Sequence, residues 1–284
     1  MASVRAHERP AGTTAGPARA QVTAPAHWQI VDFISDLHLH AADPQTFEAW
    51  QSYLQQTSAQ AVFILGDLFD VWIGDDAAGP VAGEPSATDS FELRCARVLR
   101  HASTRIDIHF LCGNRDFLVG AQFLANCGVL WLKDPCVLEL SGQRWLLSHG
   151  DALCLDDTAY QQFRHVVRSP GWQADFLQKP LAQRLDIARG LRERSERHKK
   201  EHPEPAHVDA GAAAASLRQV GAHTLIHGHT HQPADHVLED GLRQVVLSDW
   251  DLMADPPRAQ VLRLSLDRAS GQVRQHRLAL GASR

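Results

Sequence analysis

The strongest constraint in this sequence is a repeated event: a short apolar run stops abruptly at Gly, Asp, Asn or His. Trp28–Ser35 (WQIVDFIS) ends in Asp36-Leu37-His38, and Ala61–Leu65 (AVFIL) ends in Gly66-Asp67-Leu68-Phe69-Asp70. Ile106–Cys112 runs into Gly113-Asn114-Arg115-Asp116, and Arg144–Ser148 into His149-Gly150-Asp151. Ala222–Ile226 runs into His227-Gly228-His229-Thr230-His231. Short apolar runs bounded by turn formers read as buried strands. Helical spacing separates the first of them: Phe47, Trp50 and Leu54 share one face of Pro44–Thr57, and Phe91–His101 and Phe117–Asn126 read as further helices. Strand–helix alternation predicts an α/β core with parallel strands. Sites in such sheets form at the carboxyl ends of strands, so these polar residues converge on one edge although far apart in sequence.

Taken singly, each motif has a plain structural reading. DxH could be a helix cap, GDxxD a turn with an N-cap Asp, and Gly-Asn a turn. HGHTH resists that treatment, because three neighbouring imidazoles are costly to bury without partners. The whole set, each member behind an apolar run, points to a metal cage. Carboxylate, imidazole and amide oxygen suit Mn²⁺, Fe²⁺, Zn²⁺ or Co²⁺, whereas calcium favours oxygen alone. Several ligands without thiolates fit two ions about 3.5–4 Å apart that share a carboxylate, activate water and clamp phosphoryl oxygens.

The rest of the chain frames that site. Residues 1–27 are rich in Ala, Pro, Gly and Thr and lack a signal-like apolar stretch, which predicts a disordered extension. Residues 28–284 are expected to form one domain. Within it, about Thr158–Arg218 reads as a helical insertion, with Leu177, Leu181, Leu185, Ala188 and Leu191 in helical register and Pro180 suited to a first turn. Its basic residues cluster at Arg184, Arg189, Arg192, Arg194, Arg197, Lys199 and Lys200. Strands follow at Arg243–Leu247, Val261–Asp267 and Val273–Leu280. A net charge of −5 argues against a general nucleic-acid binder. Five scattered cysteines without a CxxC pair read as free thiols of a reducing cytoplasm. No stretch is long and apolar enough to cross a bilayer, so membrane contact is expected to be peripheral.

The series DxH … GDxxD … GN(R/H)D … HGD … GHxH, spread from Ile30 to Trp250, resembles the metallophosphoesterase superfamily. The resemblance implies a four-layer αββα sandwich with a helical lid insertion. Matched position by position, it implies one metal ion held by Asp36, His38 and His231, and another by Asn114, His149 and His229, with Asp67 bridging. Two divalent ions, Mn²⁺ in particular, are the implied cofactors. FISDLHL, ILGDLFDVWIGDD, GNRDFLVG and LSHGDALCLDD are similar to the UDP-2,3-diacylglucosamine pyrophosphatase branch, as is Arg115 where many relatives carry His.

That branch implies a lid and core enclosing acyl chains and water attack on the α-phosphorus of UDP-2,3-diacylglucosamine. The products would be UMP and 2,3-diacylglucosamine 1-phosphate in lipid A biosynthesis. The protein would sit peripherally on the cytoplasmic face of the inner membrane, with no obligate protein partner. Asn114, Arg115 and His229 carry the implied catalytic roles. The implied substrate contacts are Asn114, Arg115, Asp157, Ser195, Lys199 and His229. The lid pattern of the branch departs after Ser195, where Lys199 and His202 stand in place of the usual residues, and His202 is left out.

Physical alternatives stand beside these roles. Arg115 offers a planar fork matched to a pyrophosphate, or a structural salt bridge with Asp116 or another acid. Asp157 contacts substrate, or Asp156 or Asp157 caps the helix that follows. A dinucleoside polyphosphate or nucleotide phosphodiesterase is the competing enzyme, and a non-catalytic scaffold the competing class.

Overall fold

Strand residues alternate between faces, and in the central strands both faces are apolar, so those strands must be covered twice. The computed structural model describes residues 17–79, 90–201 and 206–280, with the side chains of 195, 196 and 198–201 outside that description. In chain order the elements are β1 (Arg19–Thr23), β2 (Ile30–Ile34), α1 (Pro44–Gln56), β3 (Ala61–Leu65), α2 (Phe91–Ser103) and β4 (Asp107–Leu111). Then come α3 (Ala121–Asn126), β5 (Leu130–Leu140), β6 (Gln143–Leu147), α4 (Thr158–Val167), α5 (Pro170–Leu177) and α6 (Leu181–Glu201). The chain finishes with α7 (Ala210–Val220), β7 (Thr224–His227), β8 (Ala234–Val237), β9 (Arg243–Val246), β10 (Gln260–Leu266) and β11 (Val273–Ala279).

The strands follow the order β11-β10-β2-β3-β4-β5-β6-β7-β9-β8. Strand β5 serves two sheets: Trp131 pairs with Phe110 of β4, whereas Cys136 to Leu140 pair antiparallel with β6. Phe33 of β2, Phe63 and Leu65 of β3, Trp145 of β6, Ile226 of β7 and Leu262 of β10 interdigitate between the sheets. The alternate residues Val62 and Ile64 face the other way, onto Trp50 and Leu54 of α1 and Leu99 of α2. On the far side, Ala213, Ala214 and Leu217 of α7 cover Leu146 and Leu225. Helices, two sheets and a further helix make the four-layer αββα sandwich. Its central strands β2, β3 and β4 are parallel, as are β6, β7 and β9, so their carboxyl ends open on one edge.

Several expectations need correction. Disorder does not extend to residue 27: Arg19–Thr23 forms β1, parallel to β5, with Val22 buried in the inter-sheet core. The edge of β5 supplies hydrogen-bond partners that the Ala/Pro-rich composition does not advertise. Residues 1–16 lie outside the described residues. The insertion is α4 to α6, because α7 packs on the sheet as a core layer. The leucine series lies on two helices, α5 ending at Leu177 and α6 beginning at Leu181, with Pro180 just ahead of the second, where its lack of an amide proton is tolerated. Leu177 and Leu181 are each 41% exposed on either side of that break. The helix expected from Phe117 begins only at Ala121, where Asp75 accepts hydrogen bonds from the amides of Gly120 and Phe123. All five cysteines are buried and free.

Candidate metal centre

Each turn that leaves the sheet edge has to bend sharply, and the bends fall on the polar residues themselves. Asp36, His38, Asp67, His229 and His231 adopt left-handed backbone, with φ of 54°, 47°, 53°, 68° and 54°. Among the described residues, Ser141 and Asp240 are the other non-glycine residues with positive φ, and both sit in surface turns. Such strain concentrates at functional sites, where the surroundings over-determine it. Two glycines let the turns approach one another. A Cβ on Gly66, itself at φ +87°, would lie 2.6 Å from Gly113 Cα and from His149 Nδ1. A Cβ on Gly113 would collide with the Asp67 carboxylate.

The turns bring all seven expected ligands into one cage. His38 Nε2 lies 3.2 Å from His231 Nε2, which is 3.4 Å from Asp36 Oδ1. On the other side, Asn114 Oδ1 is 2.8 Å from both His149 Nε2 and His229 Nδ1. Asp67 lies between, its Oδ2 3.9 Å from His38 Nδ1 and 3.7 Å from His149 Nε2. The ligand atoms of Asp36, His38 and His231 all fall within 4.8 Å of one another, as do those of Asp36, Asp67 and His149. The ring of His149 is held by Nδ1 against the Leu65 carbonyl at 2.9 Å, which directs Nε2 inward. Asp36 accepts the Ser35 hydroxyl at 2.5 Å and the His229 amide at 2.9 and 3.1 Å.

The electrostatics are those of a cage crowded with like groups. Burial, together with Asp116 and Asp36, pushes Asp67 up to about 7 against the pull of His149. Burial alone would depress His149, but Asp67, Asp36 and Asp151 raise it to about 9. Burial opposes ionisation of Asp36, yet His231, His149 and His38 hold its carboxyl well below the usual range. Burial brings His38 and His229 down to about 3, leaving neutral rings with free lone pairs. The buried His38 Nδ1 has no hydrogen-bond partner among the described residues. An orphaned nitrogen, facing imidazoles and two buried carboxylates fit hard-to-borderline divalent cations.

The remaining expected residues scatter around this cage. Arg115 follows Asn114, and its amide donates to Asp67 Oδ1 at 2.8 Å. Asp157 is the N-cap of α4, accepting the Tyr160 amide at 2.9 Å, which is the capping alternative. Ser195 and Lys199 lie on α6, with side chains outside the described residues. The first histidine of HGHTH, His227, points into the sheet, 3.0 Å from Gln244 Nε2, and serves the core.

One contributor escaped the sequence reading. Asp116 is fully buried and accepts the amides of Leu68 at 2.7 Å and Gly113 at 2.8 Å, with those of Asp67 and Phe69 at 3.3 and 3.4 Å. It staples the Asp67 turn to the Asn114 turn. The available signal was an acid two residues after a strand-end Asn, positioned to fold back on its own turn.

Residues 31–233 match the calcineurin-like phosphoesterase family. The chain is 45% identical to the UDP-2,3-diacylglucosamine hydrolase of Aromatoleum aromaticum, covering 77% of this chain and 88% of that one. Identity is 43% with the protein of that name from Chromobacterium violaceum, over 78% of this chain and 90% of the relative. With that of Bordetella pertussis it is 42%, over 82% and 90%. Fold, strand-end residues and relatives agree, and the chain belongs to the UDP-2,3-diacylglucosamine hydrolase family of calcineurin-like phosphoesterases.

Proposed function

We propose that this chain hydrolyses the pyrophosphate of UDP-2,3-diacylglucosamine, releasing UMP and 2,3-diacylglucosamine 1-phosphate for lipid A biosynthesis. The observation that carries this reading is the coincidence of relatives of that name with the assembled strand-end cage. In this reading Asp36, His38 and His231 hold one divalent ion, Asn114, His149 and His229 hold another, and Asp67 serves both; Mn²⁺ is the preferred ion. Bound there, the ions would supply Lewis acidity to the phosphoryl oxygens and acidify a water.

The chain's own groups do the rest. Asn114 orients the oxygens of the phosphorus under attack. Arg115 supplies a fixed positive fork for the pyrophosphate, and His229 stabilises charge as it builds on the departing oxygen. Asp157, Ser195 and Lys199 are proposed to meet the sugar and its acyl arms from the insertion.

Peripheral binding to the cytoplasmic face of the inner membrane belongs to the same proposal. One observation supports it: Val166, Leu177 and Leu181 stand exposed on α4 to α6. Such apolar residues beside a basic helix suit an anionic lipid surface. The deciding experiment supplies the full chain and Mn²⁺ with UDP-2,3-diacylglucosamine in detergent, and in parallel with diadenosine tetraphosphate. UMP release from the lipid substrate is expected. Turnover of the dinucleotide alone would overturn the assignment.

A further inference from the structure

Asp151 lies two residues beyond His149 and is completely buried. Its Oδ2 accepts the Tyr160 hydroxyl at 2.6 Å and Arg164 Nε at 2.8 Å, and Arg168 Nη2 stands 3.8 Å away. Tyr160, Arg164 and the C-cap Arg168 are four residues apart along α4, so they form one stripe aimed at a single carboxylate. Gln161 adds donations to the backbone carbonyls of Asp151 and Cys154 at 2.7 and 3.0 Å. The first insertion helix is thus latched to the turn that carries His149.

The same stripe touches the other two members of that half of the cage. The Tyr160 ring lies nearly parallel to His229, with centroids 6.0 Å apart and planes at 29°. Arg168 Nη2 donates to the Gly113 carbonyl at 2.9 Å, the peptide unit that leads into Asn114, while its guanidinium lies 5.4 Å from the Phe117 ring centroid. The opposite half is braced from elsewhere: Ser35 bonds Asp36, and His231 Nδ1 stands 3.8 Å from Asp249, which Arg258 holds in turn.

We infer that Asp151 and the Tyr160/Arg164/Arg168 stripe are positioning residues for one half of the metal centre, so that the docked insertion sets the pose of Asn114, His149 and His229 but not of Asp36, His38 and His231. This inference rests on the dinuclear reading above. Groups that orient metal ligands from behind typically change affinity by about 10–100-fold. The insertion therefore helps to assemble the second ion's site.

The test titrates Mn²⁺ alone into chelator-treated full-length wild type, Asp151→Asn and Arg168→Met, and counts retained ions by elemental analysis. Electron paramagnetic resonance distinguishes a coupled Mn²⁺ pair from an isolated ion. The expected result is one ion bound about 10–100-fold more weakly in both variants, the other unchanged, and an isolated-ion spectrum at limiting Mn²⁺. Arg168 is partly exposed, so Arg168→Met keeps the test decisive should Asp151→Asn fail to fold, with circular dichroism reporting which has happened. Wild-type binding of both ions in the folded variants, or parallel loss of both, would overturn the inference. Uptake of a single ion by wild type would instead overturn the dinuclear reading on which it stands.

Discussion

A residue with a Cβ in the left-handed region carries about 1–2 kcal/mol of backbone strain, and Asp36, His38, Asp67, His229 and His231 all lie there. That strain is readable as a stability difference. At His231 the usual preference for alanine over glycine should reverse, with His231→Gly more stable than His231→Ala by about 1 kcal/mol. In a chain of this size that is roughly 2–4 °C in Tm, measured on metal-free protein. Equal or lower stability of the glycine variant would refute the strain. Arg115 should behave differently: Arg115→Ala is expected to lower kcat about 100–1000-fold, as loss of a charge-stabilising donor does, with metal content unchanged. Depletion of bound metal in that variant would recast Arg115 as part of the cage. The convergence of these polar residues was legible in sequence because each follows an apolar run and must emerge at a strand tip. Their left-handed geometry was not, since nothing in DxH or HGHTH marks φ.

At the level of elements, turns rather than strands decide whether the cage closes. Asp116 ties two of them together through four buried amides. Asp116→Ala leaves amides without an acceptor, and those that find no water cost about 1–3 kcal/mol each. The expected loss is at least about 3 kcal/mol in denaturant unfolding, with faster hydrogen exchange at Leu68 and Gly113. Unchanged exchange at both amides would show that the staple is idle. Strand positions were legible from apolar runs because both faces of each central strand are covered. The leucine spacing marked the insertion as helical, and Pro180 marked where its last helix starts, because proline is tolerated only ahead of or within a first turn. Strand β1 was hidden, because its partner, not its composition, makes it a strand.

For the whole molecule, the buried cage ties stability to pH. His149, raised to about 9, contributes stability that is complete below its ordinary value near 6.5 and is lost as pH rises through 9. Asp67, raised from its ordinary value near 3.8 to about 7, has the same sign but loses its share earlier, as pH rises toward 7, so the decline above 7 belongs to His149. Metal-free protein should therefore lose Tm as pH rises from about 7 to about 9. With Mn²⁺ the trend should invert, since binding displaces protons and strengthens as they become easier to remove. A metal-free Tm that climbs over that interval would contradict the picture.

Strand β5 belongs to both sheets, and the cage draws Asp36, Asp67 and Asn114 from one sheet and His149, His229 and His231 from the other. The ions would then act as a rivet through two plates. A small sideways slip at Phe63 or Trp145, deep between the plates, would misalign the rivet holes without altering a single residue of the cage.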